Sequence, residues 1–458
     1  MNQPPSETPL PSAGAASVPM HIEPGMPLCQ SEYPLDRYQE AFVPYAEEYL
    51  ALPDRTPESV IPWMASYLDP ALADLGDKVL LLAHYYMGGE IVQLVERFGG
   101  RVADSYQLAL AARDEPQREV IIESAVHFMA ESISILAHDH QRVLITNPRS
   151  GCTMEMLAKE AMVEAAFRAL NHRYGADQVL PVCYMNTSGR VKAMTGAQGG
   201  AVCTSSNAGA IFRWALEQGR KIFFIPDQHL GENVAAEVGI DPASIVHWPA
   251  GAESLAFDLE NAPLELRERF DSASLILFAS ACAVHTFFQP WMVTAWQEDG
   301  YSVQVHPESP RAVASIADGK GSTSYLWDHV LEDRSATGKY AVATEGHFVR
   351  NLRRTAAARG IEVVHVGEAR DPAGGTPGVG CGCATMSRND PPHLVALVDL
   401  LHRGKVPEIN QVEPGDVVCE FTGRRDRLPR AEQEQLREDA RRALERMIEI
   451  TAKKGSSR

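Results

Sequence analysis

Cysteine is scarce: the chain has eight in 458 residues, too few for a disulfide scaffold at this length. Long apolar runs are missing as well. The longest, such as "SLILFASACAV", stop well short of the roughly 20 residues that a membrane helix needs. Positive charge is outweighed, with 42 Lys and Arg against 60 Asp and Glu and a net charge of −18, which excludes general attraction to nucleic acid. Residues 1–27 are rich in Pro, Ser and Ala but have neither a basic start nor an apolar segment, so they read as a flexible extension without an export signal. These absences point to a cytoplasmic protein in a reducing compartment, whose cysteines are free thiols or metal ligands. Composition is otherwise ordinary for a globular protein, 45% hydrophobic and 22% charged, and the length suits two or three domains of an enzyme.

What is present is a recurring unit: an apolar strand, a short polar loop, then an amphipathic helix. "KVLLLAHYYMGGEIVQLVERF" follows a continuous apolar run with helical spacing at Ile91, Leu94, Val95 and Phe98. "VLPVCYMNTSGRVKAMTG", "AVCTSSNAGAIFRWALEQG", "KIFFIPDQHLGENVAAEVG" and "GKGSTSYLWDHVLED" repeat the scheme. Strands alternating with helices imply parallel sheets covered by helices, so the fold class is α/β. The recurrence is too irregular for a solenoid and fits three similar domains. Near the end, "RAEQEQLREDARRALERMIEI" places Leu436, Ala440, Leu444 and Met447 on one face of a helix that packs against the body.

Several polar loops share a chemistry. "NTS" at 186–188, "TSSN" at 204–207 and "GSTS" at 321–324 set small hydroxyl and amide residues between strand and helix. Capping explains any one of them. Three together suggest sites for phosphate or carboxylate at helix starts, gathered at the carboxyl ends of the strands, and hence a small anionic substrate.

Cysteines fall into two groups. Cys152, Cys282 and Cys383 sit on loops after strand-like runs, whereas Cys183 and Cys203 lie inside such runs and read as buried, inert side chains. Cys29 and Cys419 are peripheral, and Cys381 neighbours Cys383. Three converging thiolates suit an iron-sulfur cluster or a zinc ion, and periodicity does not choose between them. Closed structural zinc sites usually show paired short spacings, and no second Cys-x-x-Cys or His pair occurs here. Three ligands on four irons would leave one iron open to bind oxygen as a Lewis acid.

In order along the chain stand "LLAHYY", "ADS", "VHFMAES", "SGCTMEM", "YMNTS", "CTSSNA", "IPDQHLG", "CAVH", "VHPESP", "GSTS", "ATEG" and "CGCATMSRNDPPHL". This series resembles the quinolinate synthase family from about Lys78 to the final helix, and it is specific as an ensemble although each piece is weak. The resemblance implies three pseudo-symmetric three-layer αβα domains around a central 4Fe-4S cluster, one per chain, with Cys152, Cys282 and Cys383 as its ligands. Along the chain it implies an extension over 1–75, domains over 76–163 (completed by 384–403), 164–262 and 263–383, and a helical segment over 404–458. It further implies condensation of iminoaspartate with dihydroxyacetone phosphate to quinolinate, the NAD precursor, with release of phosphate and two waters. His84, Tyr86, Ser105, Tyr184, Asn186, Ser205, His285, His306, Glu308, Ser322 and Thr323 would line the pocket by the same resemblance. Glu308 is the expected general base, with Tyr86 and His306 moving protons or holding hydroxyls. L-aspartate oxidase is the implied supplier of iminoaspartate, and a homodimer stays open.

Two local departures from the family pattern concern pocket shape: the connector over 250–279, and Thr286 and Phe287 after His285. Two other classes stay open, an iron-sulfur redox or iron sensor and another α/β sugar-phosphate lyase. A sensor would usually carry a DNA-reading or partner-binding module, and neither a basic patch nor a helix-turn-helix signal is seen. A lyase would not need the cysteines.

Overall fold

The computed structural model describes residues 35–333, 335–369, 382–419 and 422–455. Cys29, Cys381 and the whole Pro-rich stretch over 1–27 lie outside them. The apolar runs form three sheets, all parallel. The first joins β1 (Val79–His84), β2 (Arg101–Ala103), β3 (Val120–Ser124) and β4 (Arg142–Ile145) in the order β2-β1-β3-β4. The second contains β5 (Val179–Tyr184), β6 (Ala201–Cys203), β7 (Lys221–Ile225), β8 (Ile245–Trp248) and β9 (Leu275–Phe278) in the order β6-β5-β7-β9-β8. The third runs β11-β10-β12-β13, from β10 (Ser302–Val305), β11 (Gly319–Lys320), β12 (Lys339–Ala343) and β13 (Glu362–His365). β1, β3, β5 and β9 are buried at every residue, as expected of strands covered on both faces by helices.

Apart from β8, the three sheets share one strand order, second-first-third-fourth. The division expected at 262/263 is therefore corrected. β9 pairs with β7 through Ile222↔Leu275 and with β8 through Ile245↔Leu275, so the chain up to Phe278 belongs to the second sheet. With that correction the loops bearing Cys152, Cys282 and Cys383 follow the fourth strand of the first, second and third sheets respectively. A boundary at 262/263 would have left the second unit without a cysteine on a loop after a strand.

Outside the sheets, helices Val43–Leu50 and Pro57–Leu75 pack on Pro391–His402, burying Phe42, Val60, Met64 and Leu68. The last helix, Arg430–Gly455, lies along helix Gly189–Ala197 and β6. Ala440, Leu444 and Met447 are fully buried there and Leu436 partly so, on the face that the spacing predicts. The two helices approach closely because Gly196 has no side chain: a Cβ there would lie 1.9 Å from the Asp439 carbonyl oxygen. No helix among the described residues is long and apolar enough to cross a membrane.

Candidate active site

A cavity opens where the carboxyl ends of the three sheets meet, the usual ligand position of open parallel sheets. The ends of the first strands and the loops after them supply His84 and Tyr86, Tyr184 and Asn186, and His306 and Glu308; the segments after the second strands supply Ser105, Ser205 and Thr323. His285 and the three cysteines enter from the loops after the fourth strands. Ser322 does not line the cavity. Its hydroxyl turns back to accept the Tyr325 N–H at 3.2 Å and caps helix Thr323–Leu331, so for this residue capping is the observed role. Ser188 likewise caps helix Gly189–Ala197.

Glu308 sits at the centre of the polar network. Tyr184 donates its hydroxyl to Oε1 at 2.5 Å, and His285 Nδ1 lies 2.9 Å from Oε2, at ion-pair distance but without the alignment of a hydrogen bond. Burial alone would push this carboxyl up, yet His285, His306 and the Tyr184 hydroxyl outweigh it and hold it down to about 2. His285 stacks on His306 at 4.5 Å between ring centroids. Burial lowers His84 to about 4, and burial with His285 nearby lowers His306 to about 3, so both rings are neutral near pH 7. Burial and the Glu308 charge push both Tyr86 and Tyr184 well above the ordinary phenol range. The turn carrying Glu308 is pinned from the second unit, where buried Asn233 donates to the Pro307 and Ser309 carbonyls at 2.9 and 2.8 Å.

Cys152, Cys282 and Cys383 are half-buried and face one another across the same cavity, while Cys183 and Cys203 are fully buried in β5 and β6. Burial raises all three facing thiols. Cys383 raises Cys152 further, and Glu308, Cys383 and Cys152 do the same to Cys282. Deprotonating them together is costly unless a positive centre lies between, and soft sulfur donors select iron-sulfur or zinc. The donor set therefore fits a metal centre.

Sequence reasoning missed four supporting residues. Thr344, fully buried, bridges the Tyr86 hydroxyl (2.9 Å) and His285 Nε2 (3.1 Å). The Thr385 hydroxyl lies 3.2 Å from the Cys383 sulfur. Asp227 and Glu345 accept the backbone N–H groups of Cys282 and Cys383. All four fall inside motifs quoted above, but nothing in the sequence said what they would touch. Ligand atoms of Cys282, His285 and Glu308 lie within 4.8 Å of one another, and so do those of a separate group, His127, Glu131 and Glu155. It reads as structural: Glu131 accepts the Gly189 and Gly415 N–H groups at 2.6 and 2.8 Å, and the buried Lys192 ammonium supplies its counter-charge.

A buried carboxylate held ionised by imidazoles and a phenol, in a cavity at the carboxyl ends of the strands, marks a functional site, and the chain is an α/β enzyme. It belongs to the quinolinate synthetase A family, whose model matches residues 72–449. The quinolinate synthase of Streptomyces coelicolor is 36% identical over 377 residues, 81% of this chain and 88% of that protein. That of Acidobacterium capsulatum is 34% identical over 410 residues, 88% and 95% of the two chains, and that of Bacillus subtilis 30% identical over 378, 82% and 90%.

Proposed function

We propose that this chain condenses iminoaspartate with dihydroxyacetone phosphate to quinolinate, phosphate and two waters, in the cytoplasm, as a step of NAD synthesis. The observation that carries this reading is the placing of Glu308 in one cavity with three facing thiols, in a chain of this family. Three domains, one per sheet, each contribute one cysteine to a 4Fe-4S cluster, Cys152, Cys282 and Cys383. When bound, that cluster supplies Lewis acidity through an iron without a protein thiolate. An L-aspartate oxidase would supply the iminoaspartate.

The residues of the chain account for the rest. Glu308, ionised and 2.9 Å from His285, takes the proton next to a carbonyl or imine in the isomerisation and dehydration steps. Tyr86 keeps its proton and can donate it to a substrate oxygen, whereas the Tyr184 proton is committed to Glu308 and holds that carboxylate in place. His306, neutral, accepts or relays a proton. Ser105, Ser205 and Thr323 stand at helix starts, where hydroxyls beside free N–H groups receive carboxylate and phosphate. Asn186 adds an amide that can hold either.

Anaerobically purified protein should be brown, with about four irons per chain, and should form quinolinate. Replacing Cys152, Cys282 or Cys383 with Ser should abolish the iron-sulfur absorbance, whereas Cys183→Ser and Cys203→Ser should keep it. A wild type that stays colourless after reconstitution with iron and sulfide sinks this reading.

A further inference from the structure

Two buried carboxylates occupy the same place in two of the three sheets. Asp227 stands two residues beyond the end of β7, and Glu345 two residues beyond the end of β12. Both are fully buried. One oxygen of each caps the helix that follows: Asp227 Oδ1 accepts the Leu230 N–H at 2.7 Å, and Glu345 Oε2 accepts the Phe348 N–H at 3.0 Å. The other oxygen reaches the neighbouring loop. Asp227 Oδ2 accepts the Cys282 N–H at 3.2 Å, and Glu345 Oε1 accepts the Cys383 N–H at 3.1 Å.

The first sheet breaks the pattern. Its equivalent position, two residues beyond β3, is Val126, which has no acceptor, and among the described residues no carboxylate takes the Cys152 N–H. That loop is held from elsewhere. Ser150 O accepts the His127 N–H at 2.7 Å, while the Ser150 hydroxyl donates to Thr385 O at 2.5 Å and accepts from Asn389 Nδ2 at 2.8 Å.

A capping carboxylate needs only one oxygen, so the second bond, repeated at symmetry-related positions onto two cysteines, calls for a cause beyond helix stability. Replacing a carboxylate by its amide is the sharpest probe, because an Asn or Gln oxygen can still cap while the NH₂ group cannot accept the cysteine N–H. We propose that Asp227 and Glu345 are positioning residues for the metal centre, each tying the backbone of one cysteine to the helix start beside it. This rests on the three-thiolate cluster proposed above. The pairing has two consequences. It fixes where two of the three sulfurs point, and it commits those N–H groups to a carboxylate rather than to sulfur, where N–H···S bonds would raise the reduction potential.

The test compares anaerobically prepared wild-type holoprotein with Asp227→Asn and Glu345→Gln, and with Asp241→Asn, an exposed capping aspartate. Four quantities are read: circular dichroism of each apoprotein, iron and sulfide content, the rate of iron transfer to a chelator, and the midpoint potential by EPR-monitored titration. In the first two variants iron release should quicken by about tenfold or more and the potential should move to more positive values, with the apoprotein spectrum unchanged. Asp241→Asn should match wild type. The proposal is overturned if both variants equal wild type in release rate and potential, or if both apoproteins lose their fold, since the carboxylates would then serve folding alone. A wild type that holds neither iron nor sulfide after reconstitution overturns the cluster reading instead.

Discussion

Glu308→Gln isolates the proposed base with little change of shape. The new side chain keeps an oxygen for the Tyr184 hydroxyl, and its NH₂ group faces His285 Nδ1 across 2.9 Å, where a ring nitrogen can accept. The cavity should survive and the charge should not. A positive charge developing 2.9 Å from the carboxylate is stabilised by about 6 kcal/mol at an effective dielectric near 20, which is an upper bound on what the substitution removes. General-base catalysis is worth about 10²–10⁴ in rate, or about 3–5 kcal/mol, which falls inside that bound. Turnover should therefore fall by about a hundredfold or more while KM for either substrate stays within a few-fold. The assay is anaerobic quinolinate formation, with iron and sulfide measured on the same sample. A kcat within about threefold of wild type at full iron content would refute the assignment. Lost iron would make Glu308 a structural neighbour of the metal centre.

The hydroxyl loop of the third sheet separates two roles in adjacent residues. Ser322→Ala should cost about 1 kcal/mol of stability by loss of the cap, with KM unchanged, whereas Thr323→Ala should raise KM for the triose phosphate by about tenfold. An unmoved KM in the latter places the phosphate elsewhere. Gly196→Ala would put a Cβ 1.9 Å from Asp439 O, so the last helix must shift, with a loss of about 3 kcal/mol in a urea melt; an unchanged midpoint would show that the two helices are not tightly docked. Acid should weaken the apoprotein through His127, which burial and the nearby Arg425 and Lys192 charges lower to about 4. The unfolded chain takes up this proton below about pH 6.5 while the fold excludes it, so stability falls with pH from there to about 4, by about 3 kcal/mol for this group. Glu131, raised to about 7 mainly by burial, works in the opposite direction between about 4.5 and 7. His127→Gln should therefore flatten the acid limb in a series of thermal melts, and an equally steep limb would assign the loss to other groups.

The strand-loop-helix units were legible because periodicity is a local property: β1, β5 and β7, with the helices after them, stand where the apolar runs and turn residues put them. The buried face of the last helix was legible for the same reason. So was the separation of Cys183 and Cys203, inside strands, from the three loop cysteines. Sheet membership was not. β9 joined the second sheet by pairing with β7 over an intervening strand, and no residue between 250 and 279 announces that long-range choice. The two hydroxyls of "GSTS" illustrate the same limit at smaller scale. Ser322 and Thr323 look alike in sequence, yet the backbone at the helix start turns one toward Tyr325 N–H and the other into the cavity. The double attachments of Asp227 and Glu345, and the bridge at Thr344, belong to the tertiary structure alone. The two carboxylates join loops that follow adjacent strands of one sheet, which strand pairing brings within reach, whereas Thr344 joins loops of all three sheets, which meet only where the sheets' carboxyl ends come together.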